Sequence, residues 1–368
     1  MKSTTYFPGL HALRFFAATL VIIHHVEQYK AWQGKPNVWG HQSIDQLGHL
    51  PVGFFFVLSG FLITYFLLIE AKENSFIKLK SFYWKRIIRL WPVYFVVVII
   101  ALNIIPFVAS GFHHSHFEFG LPVLLCLFLF IPNVLRLIHP NLVGGNQLWS
   151  IGVEEQFYLV WPLLIGLFHK HIFRFLLLFI GTKLCIQSIL GFAGGSSTES
   201  LYFLLKLFPV EQMAIGGIGA AMILSQSRHL KKFLADWVFA LAILALTFRL
   251  VVENHFWGQT LVEGILFLII ILNVVYRPAI YNLLENRSLK KLGDASYGIY
   301  MYHTLVIALV MTGLSNFQMS SLSYSAILYV VSITLTIAIA RFSFVYFEKP
   351  LLKFKDLNFR LRKNVVSS

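Results

Sequence analysis

The chain has 368 residues, of which 57% are hydrophobic and only 12% charged, with a mean hydropathy of +0.72. Such a composition excludes a water-soluble domain and points to a polytopic membrane protein, in which runs of about 20 apolar residues cross the hydrocarbon as helices. The formal net charge of +14 does not require nucleic acid as a partner, because its excess sits in the joints between apolar runs. Cys126 and Cys185 both lie within apolar runs, so neither a disulfide framework nor a cysteine metal site is expected.

The first predicted helix, 8–28, holds "GLHALRFFAATLVIIHHVEQ". Its ionisable residues mark it as a retained span rather than a cleaved leader. At 100° and 1.5 Å per residue, eleven positions place Arg14 and His25 on one face, roughly 16 Å apart, while His24 points about 80° away. Ionisable groups inside a bilayer are costly and default to functional roles with partners facing the bundle interior. A structural ion pair is the competing reading for Arg14, and an interfacial or packing role is preferred for His24.

Further helices are predicted at 51–70, 91–110, 149–168, 173–192, 202–224, 234–252, 259–276, 295–313 and 323–347, with another apolar run at 121–138. The joint 71–90 carries Lys72, Lys78, Lys80, Lys85, Arg86 and Arg89, which the positive-inside rule assigns to the cytoplasm. Ten spans keep every later basic joint, and the basic tail from Lys349, on that side. Eleven would expel them, so 121–138 is predicted to be re-entrant or to lie on the outer surface. Both termini are then cytoplasmic. One membrane domain, 1–350, followed by a short basic cytoplasmic tail, 351–368, is the expected organisation.

Three later stretches carry polar groups into these helices. In "FYWKRIIRLWP" the cations Lys85, Arg86 and Arg89 precede the third span, with Pro92 expected in its first turn. Arginine matches phosphate oxygens bidentately, although a positive-inside flank reads the same way. In "LWSIGVEEQFYLVWP" the residues Ser150, Glu154, Tyr158 and Trp161 recur at helical spacing, so that a carboxylate on a polar-aromatic face could orient His25. In "LGDASYGIYMYHTLV" the residues Ser296, Tyr300 and His303 share a face, where a packed core histidine is the plainer reading of His303. Gly216, Gly217 and Gly219 interrupt one span without an evident counterpart.

Together with "GFFFVLSGFLI", these motifs, in this order and over nearly the whole chain, resemble the acyltransferase-3 family of integral membrane acyltransferases, of the O-acetyltransferase type. The one departure is "SIG" at 150–152, where members often show "SLS". The resemblance implies an all-α bundle of about ten transmembrane helices in a bacterial cytoplasmic membrane; the fused esterase-like domain that some members carry is not expected in this chain. It also implies transfer of an acyl group, usually acetyl, from cytoplasmic acyl-coenzyme A to a hydroxyl of a cell-surface carbohydrate or glycolipid, with no permanently bound cofactor or metal.

On that reading, Lys85, Arg86 and Arg89 bind donor phosphates and Arg14 contacts the donor or the developing oxyanion. His25 is the general base, since an imidazole titrates near neutral pH, and Glu154 fixes its tautomer. Ser150, Tyr158, Tyr300 and His303 line the acceptor side. An acyl-histidine intermediate is an open alternative. A transporter or flippase using the buried Arg and His as a substrate or proton path is the competing class, and a structural partner in an envelope complex leaves those groups without a purpose.

The topology is checked by reporter tags. Tags in 71–90 and at the C-terminus are expected to report cytoplasm, and one in 193–201 the opposite face. Finding the first two on opposite sides would overturn the ten-span arrangement.

Overall fold

The computed structural model describes residues 6–109, 119–136, 142–193, 196–252 and 257–356. All regular structure among them is helical. The long helices are α1 (Leu10–Trp32), α2 (Gln42–Asn74), α3 (Leu79–Asn103), α4 (Leu148–Phe168), α5 (Ile172–Ala193), α6 (Ser196–Lys206), α7 (Val210–Leu224), α8 (Asp236–Val251), α9 (Gln259–Tyr276), α10 (Ser296–Leu314) and α11 (Ser321–Ser343).

Seven helical stretches are long and apolar enough to cross a membrane, and one of them, Leu148–Ala193, contains both α4 and α5. The chain is therefore a polytopic helical membrane protein. Helices α1 and α8 fall outside that set: α1 is diluted by its ionisable residues, and α8 has 16 residues. The run 121–138 does not form one long helix. It gives Leu121–Phe128 and a single turn at Pro132–Leu135, and eight residues rise only about 12 Å against some 30 Å of hydrocarbon.

Several boundaries differ from expectation, among them the start of α2, at Gln42 instead of 51. Helix α3 begins at Leu79, so Pro92 lies in its interior rather than its first turn, and Pro51 is likewise inside α2. Packed neighbours re-satisfy the backbone groups that such prolines free. The predicted helix 202–224 is divided at Leu207–Pro209 into α6 and α7, because proline disfavours the helical conformation in the residue before it.

By internal packing the chain forms two compact units, the first comprising residues 1–17, 40–77 and 153–293, the second 18–39, 78–152 and 294–368. Within the first, the glycines of α7 are not interruptions. A Cβ on Gly216 would lie 2.0 Å from the Val57 carbonyl oxygen, and one on Gly60 would lie 1.9 Å from that of Met213. The backbones of α2 and α7 therefore touch, the close approach that small residues allow where water supplies no driving force between helices. Across the other side of α7, Gly219 receives Leu268 and Gly264 receives Ile215. The amino-terminal segment is fastened to the same unit. Phe7 packs edge-on to Phe61 and Tyr65, and Gly9 N–H donates to Glu285 at 2.9 Å.

In the second unit, tyrosine hydroxyls hold helices together by reaching backbone. Tyr94 donates to the Leu127 carbonyl and Tyr297 to that of Leu90, each at 2.8 Å. Gly152, which distinguishes "SIG", leaves only 2.5 Å between a Cβ and Pro132 Cδ, so the start of α4 rests on the short turn after Leu121–Phe128. Beyond α11, a π turn at Phe344–Glu348 carries the chain into Lys349–Leu352. Most of the basic tail, 357–368, lies outside the described residues.

The α2–α7 contact predicts that Gly60→Leu and Gly216→Leu each destabilise the protein by more than the 1–3 kcal/mol of ordinary overpacking, because backbone atoms cannot yield as side chains do. Thermal unfolding in detergent reads the loss; Gly181, which faces open space, serves as the control site. Unfolding temperatures unchanged from those of Gly181→Leu would refute the contact.

Candidate active site

Helix α1 turns His25 into the second unit, where the side chain is 6% exposed. Its Nδ1 lies 3.0 Å from the Val21 carbonyl one turn earlier. A carbonyl oxygen only accepts, so this contact places the ring proton on Nδ1 and leaves the lone pair on Nε2. His303, fully buried on α10, follows the same rule: its Nδ1 is 2.6 Å from the Tyr300 carbonyl. The Nε2 it leaves as an acceptor approaches His25 Nδ1 at 3.3 Å. The two rings meet edge to face with centroids 4.8 Å apart. Both tautomers are thus set by backbone, and the assignments are mutually consistent.

Beneath them lies a polar chain built from the segment before α4. Tyr300 hydroxyl meets Ser150 Oγ at 2.7 Å, and Ser150 also donates to the Gln147 carbonyl. Gln147, fully buried, donates to the Met301 carbonyl at 2.7 Å and accepts from Thr304 at 2.7 Å. Tyr29 hydroxyl accepts from Gly144 N–H at 2.7 Å. Buried polar groups satisfied to this degree hold a site rigid, whereas partly satisfied ones destabilise it. Arg136, itself exposed, brings a positive charge to the margin of this polar chain. Its guanidinium lies 5.0 Å from the Trp149 ring centroid, and it interacts electrostatically with both His25 and Tyr300.

Of the residues expected from the sequence, the structure brings together His25, His303, Tyr300 and Ser150 in this unit. His24 packs on Trp39 with ring centroids 4.9 Å apart, while its ring also meets that of His25 edge to face at 4.9 Å. Arg14, half-buried, belongs to the part of α1 in the first unit. Glu154 also belongs to the first unit, where its two oxygens accept from Ser59 at 3.0 Å and Tyr158 at 2.6 Å. The tautomer of His25, expected to be set by Glu154, is held instead by the Val21 carbonyl.

The three cations at the start of α3 differ from one another. Lys85 is exposed. Arg86 covers the Phe82 ring at 5.5 Å. Arg89 interacts electrostatically with Glu348, a buried carboxylate that also accepts from Ser343 at 3.2 Å.

Sequence reading passed over Gln147, Thr304 and Arg136. Gln147 stands in "GGNQ", which reads as a joint, and Arg136 closes the run without a repeating pattern; only their burial or neighbours distinguish them. Glu27 was equally silent. It joins Lys30 at 2.7 Å, Tyr329 at 2.6 Å and Val38 N–H at 2.7 Å, closing the carboxy-terminal end of α1 with a satisfied carboxylate. Among the described residues, no group of three or more His, Cys, Asp or Glu side chains is gathered as a metal site.

A free imidazole nitrogen, hydroxyls and a nearby cation in a buried site suit transfer of a group to an oxygen or nitrogen nucleophile. Comparison with known proteins gives the same chemistry. A family profile described as an acyltransferase domain matches residues 7–341. The chain is 26% identical over 404 aligned positions to a peptidoglycan O-acetyltransferase of Listeria monocytogenes, covering 99% of this chain and 61% of the relative. It is 28% identical over 389 positions to a Staphylococcus aureus protein provisionally named an O-acetyltransferase, covering 98% of this chain and 60% of the relative. A Bacillus subtilis protein provisionally named a peptidoglycan O-acetyltransferase is 25% identical over 380 positions, or 94% and 55% of the two chains. The chain thus spans about three-fifths of the length of the curated relatives it matches. No solved structure matches it. With the profile extending across nearly all of its helices, the chain belongs to the acyltransferase-3 family of membrane acyltransferases.

Proposed function

We propose that this protein transfers an acetyl group from acetyl-coenzyme A, bound from the cytoplasmic side, to a hydroxyl of an envelope carbohydrate such as peptidoglycan. The observation that carries this reading is the arrangement of His25: buried, its Nδ1 held by the Val21 carbonyl and its Nε2 left with a lone pair. A sugar hydroxyl does not ionise at neutral pH, so it needs a base positioned to take its proton as it attacks. In the reaction, the acceptor oxygen attacks the thioester carbonyl carbon and its proton passes to His25 Nε2. The tetrahedral intermediate then expels sulfur, the C–S bond breaks, and the imidazolium returns the proton to the thiolate. His303, through its contact with His25 Nδ1, is a positioning residue.

Arg14 and Arg136 are the cations assigned to the donor and to the charge that develops on the thioester oxygen. Lys85 and Arg86 are assigned to the donor phosphates; Arg89 shares that mouth with the counter-charge of Glu348. Glu154, Tyr158, Ser150 and Tyr300 are assigned to the acceptor side. The names of the relatives support acetyl as the group and peptidoglycan as the acceptor, and the basic joints support a cytoplasmic donor in a ten-span bundle of the bacterial cytoplasmic membrane.

The direct test supplies radiolabelled acetyl-coenzyme A to inside-out vesicles and measures label in carbohydrate. His25→Ala is expected to lower transfer by about 10²–10⁴-fold, the usual cost of a lost general base, with protein level in the membrane unchanged. His24→Ala is expected to lose much less; equal, mild losses would exclude His25 as the base. Movement of glycan across the membrane without label transfer would favour a flippase.

Arg14→Lys separates a donor clamp from a structural ion pair, because lysine keeps the charge but gives up the planar five-donor fork. The variant is expected to insert normally and to lose most transfer. Weakened coenzyme A binding would place the contact in the ground state, and a loss confined to turnover would place it in the transition state. Near-normal transfer would establish a structural pair.

A further inference from the structure

The first unit contains a polar cavity, of about 530 Å³, between the start of α2, the end of α5, α6 and the start of α9. That volume falls within the roughly 300–1,000 Å³ of small-molecule sites. The segments at its rim, 42–49, 202–206 and 257–260, all follow joints that the charge distribution places on the face opposite the cytoplasm. None of its residues belongs to the His25 cluster.

The floor of the cavity is a set of neutralised charges. Buried Lys183 pairs with Glu211 at 2.7 Å and donates to Gln187 at 2.9 Å. Thr260 donates to the other Glu211 oxygen at 2.6 Å. Behind it, Arg249 pairs with Glu263 at 3.2 Å, and Gln259 donates to the same carboxylate. At the rim Asp45 and Lys206 carry opposite charges, and His49 Nδ1 lies 3.4 Å from Glu263. The pairs leave no net field to select an anion or a cation. Ion pairs of this kind are poor contributors to stability compared with apolar packing, which suits them to holding a wet cavity open and fixed.

Two features point to the occupant. Gln46 is 3% exposed and lines the cavity, yet its Oε1 has no hydrogen-bond partner among the described residues. A buried acceptor left unpaired costs about 1–3 kcal/mol, a cost removed by a ligand that brings a hydroxyl or amide N–H. The second feature is aromatic. Tyr202, already faced by the Lys206 ammonium at 4.8 Å, and Trp257, 64% exposed, both line the cavity. Their rings present negative faces suited to the weakly positive C–H groups of a pyranose. Balanced charge, amide and hydroxyl side chains, an unpaired acceptor and two aromatic faces together match a neutral, hydroxyl-rich ligand.

We propose that this cavity is a saccharide-binding site open to the outer face of the membrane, with Gln46 and Trp257 as its principal contacts. It deepens the carbohydrate-acceptor reading, and rests on that reading for its biological occupant, but binding needs neither donor nor catalysis. The experiment uses the full chain in lipid nanodiscs, with N-acetylated chitotetraose as probe and isothermal titration as readout.

Saturable binding is expected. Trp257→Ala is expected to weaken it about tenfold, the scale of a truncated aromatic anchor, and Gln46→Met by a similar factor, with the unfolding temperature of the unliganded protein lowered in neither. His25→Ala is expected to bind as the unaltered protein does. Saccharide binding that persists in a protein without acetyl transfer would support this site while counting against the transferase reading. The site is overturned by absence of saturable binding to the unaltered protein, by unchanged affinity in both cavity variants, or by tighter binding of a sulfated disaccharide than of its neutral counterpart.

Discussion

A polar side chain in hydrocarbon has no water to fall back on, so its partner must be part of the protein. That requirement orders both units of this chain. In the second, Gln147, Thr304, Ser150 and Tyr300 close on one another and on backbone carbonyls. In the first, Lys183 with Glu211 and Arg249 with Glu263 cancel charges that could not otherwise be buried. The helices hold these groups in place by tight apolar contact, tightest where Gly60 and Gly216 let α2 and α7 touch through their backbones. A shift of one residue in that contact would put a Cβ into a carbonyl, so the register of α2 and α7 is fixed by sterics.

The same requirement decides what His25 can do. An imidazole with one nitrogen committed to a carbonyl has one tautomer, and the lone pair is then in a known place. Val21 performs this service from within the same helix, which couples the orientation of the ring to the continuity of α1. His303 repeats the device on α10 with Tyr300. A base oriented by backbone does not depend on a second ionisable side chain, leaving Glu154 to Ser59 and Tyr158. For the proposed transfer, this means that the proton acceptor is organised before either substrate arrives, the kind of preorganisation on which catalysis by a fixed site depends.

The two polar assemblies are built on different principles. Around His25, hydroxyls, amides and one nearby guanidinium surround a single free lone pair, an arrangement suited to the proposed proton transfer. In the cavity bounded by Gln46 and Trp257, charges are paired off and aromatic faces are exposed, an arrangement suited to the proposed recognition of a neutral, hydroxyl-rich ligand.

The sequence by itself determined the solvent, the fold class and the family, because apolar runs of membrane length and the order of motifs are properties of contiguous residues. It also separated His25 from His24, since 100° per residue is a local rule that the bundle does not alter. It placed α4, α5, α9 and α10 to within about a residue, where an apolar stretch ends in a polar joint. It missed the early starts of α2 and α3, where amphipathic turns carry the helices beyond their apolar runs, and the break at Leu207–Pro209, where proline interrupts a run that is apolar throughout. Only the tertiary structure decided which polar groups meet. Gln147 and Arg136 carry no periodic signal, Glu27 finds Tyr329 some 300 positions away, and the glycines of α7 reveal their purpose only when α2 lies against them. Partners brought together by packing across such separations are set by the sum of many helix contacts, and no window of the sequence contains that sum.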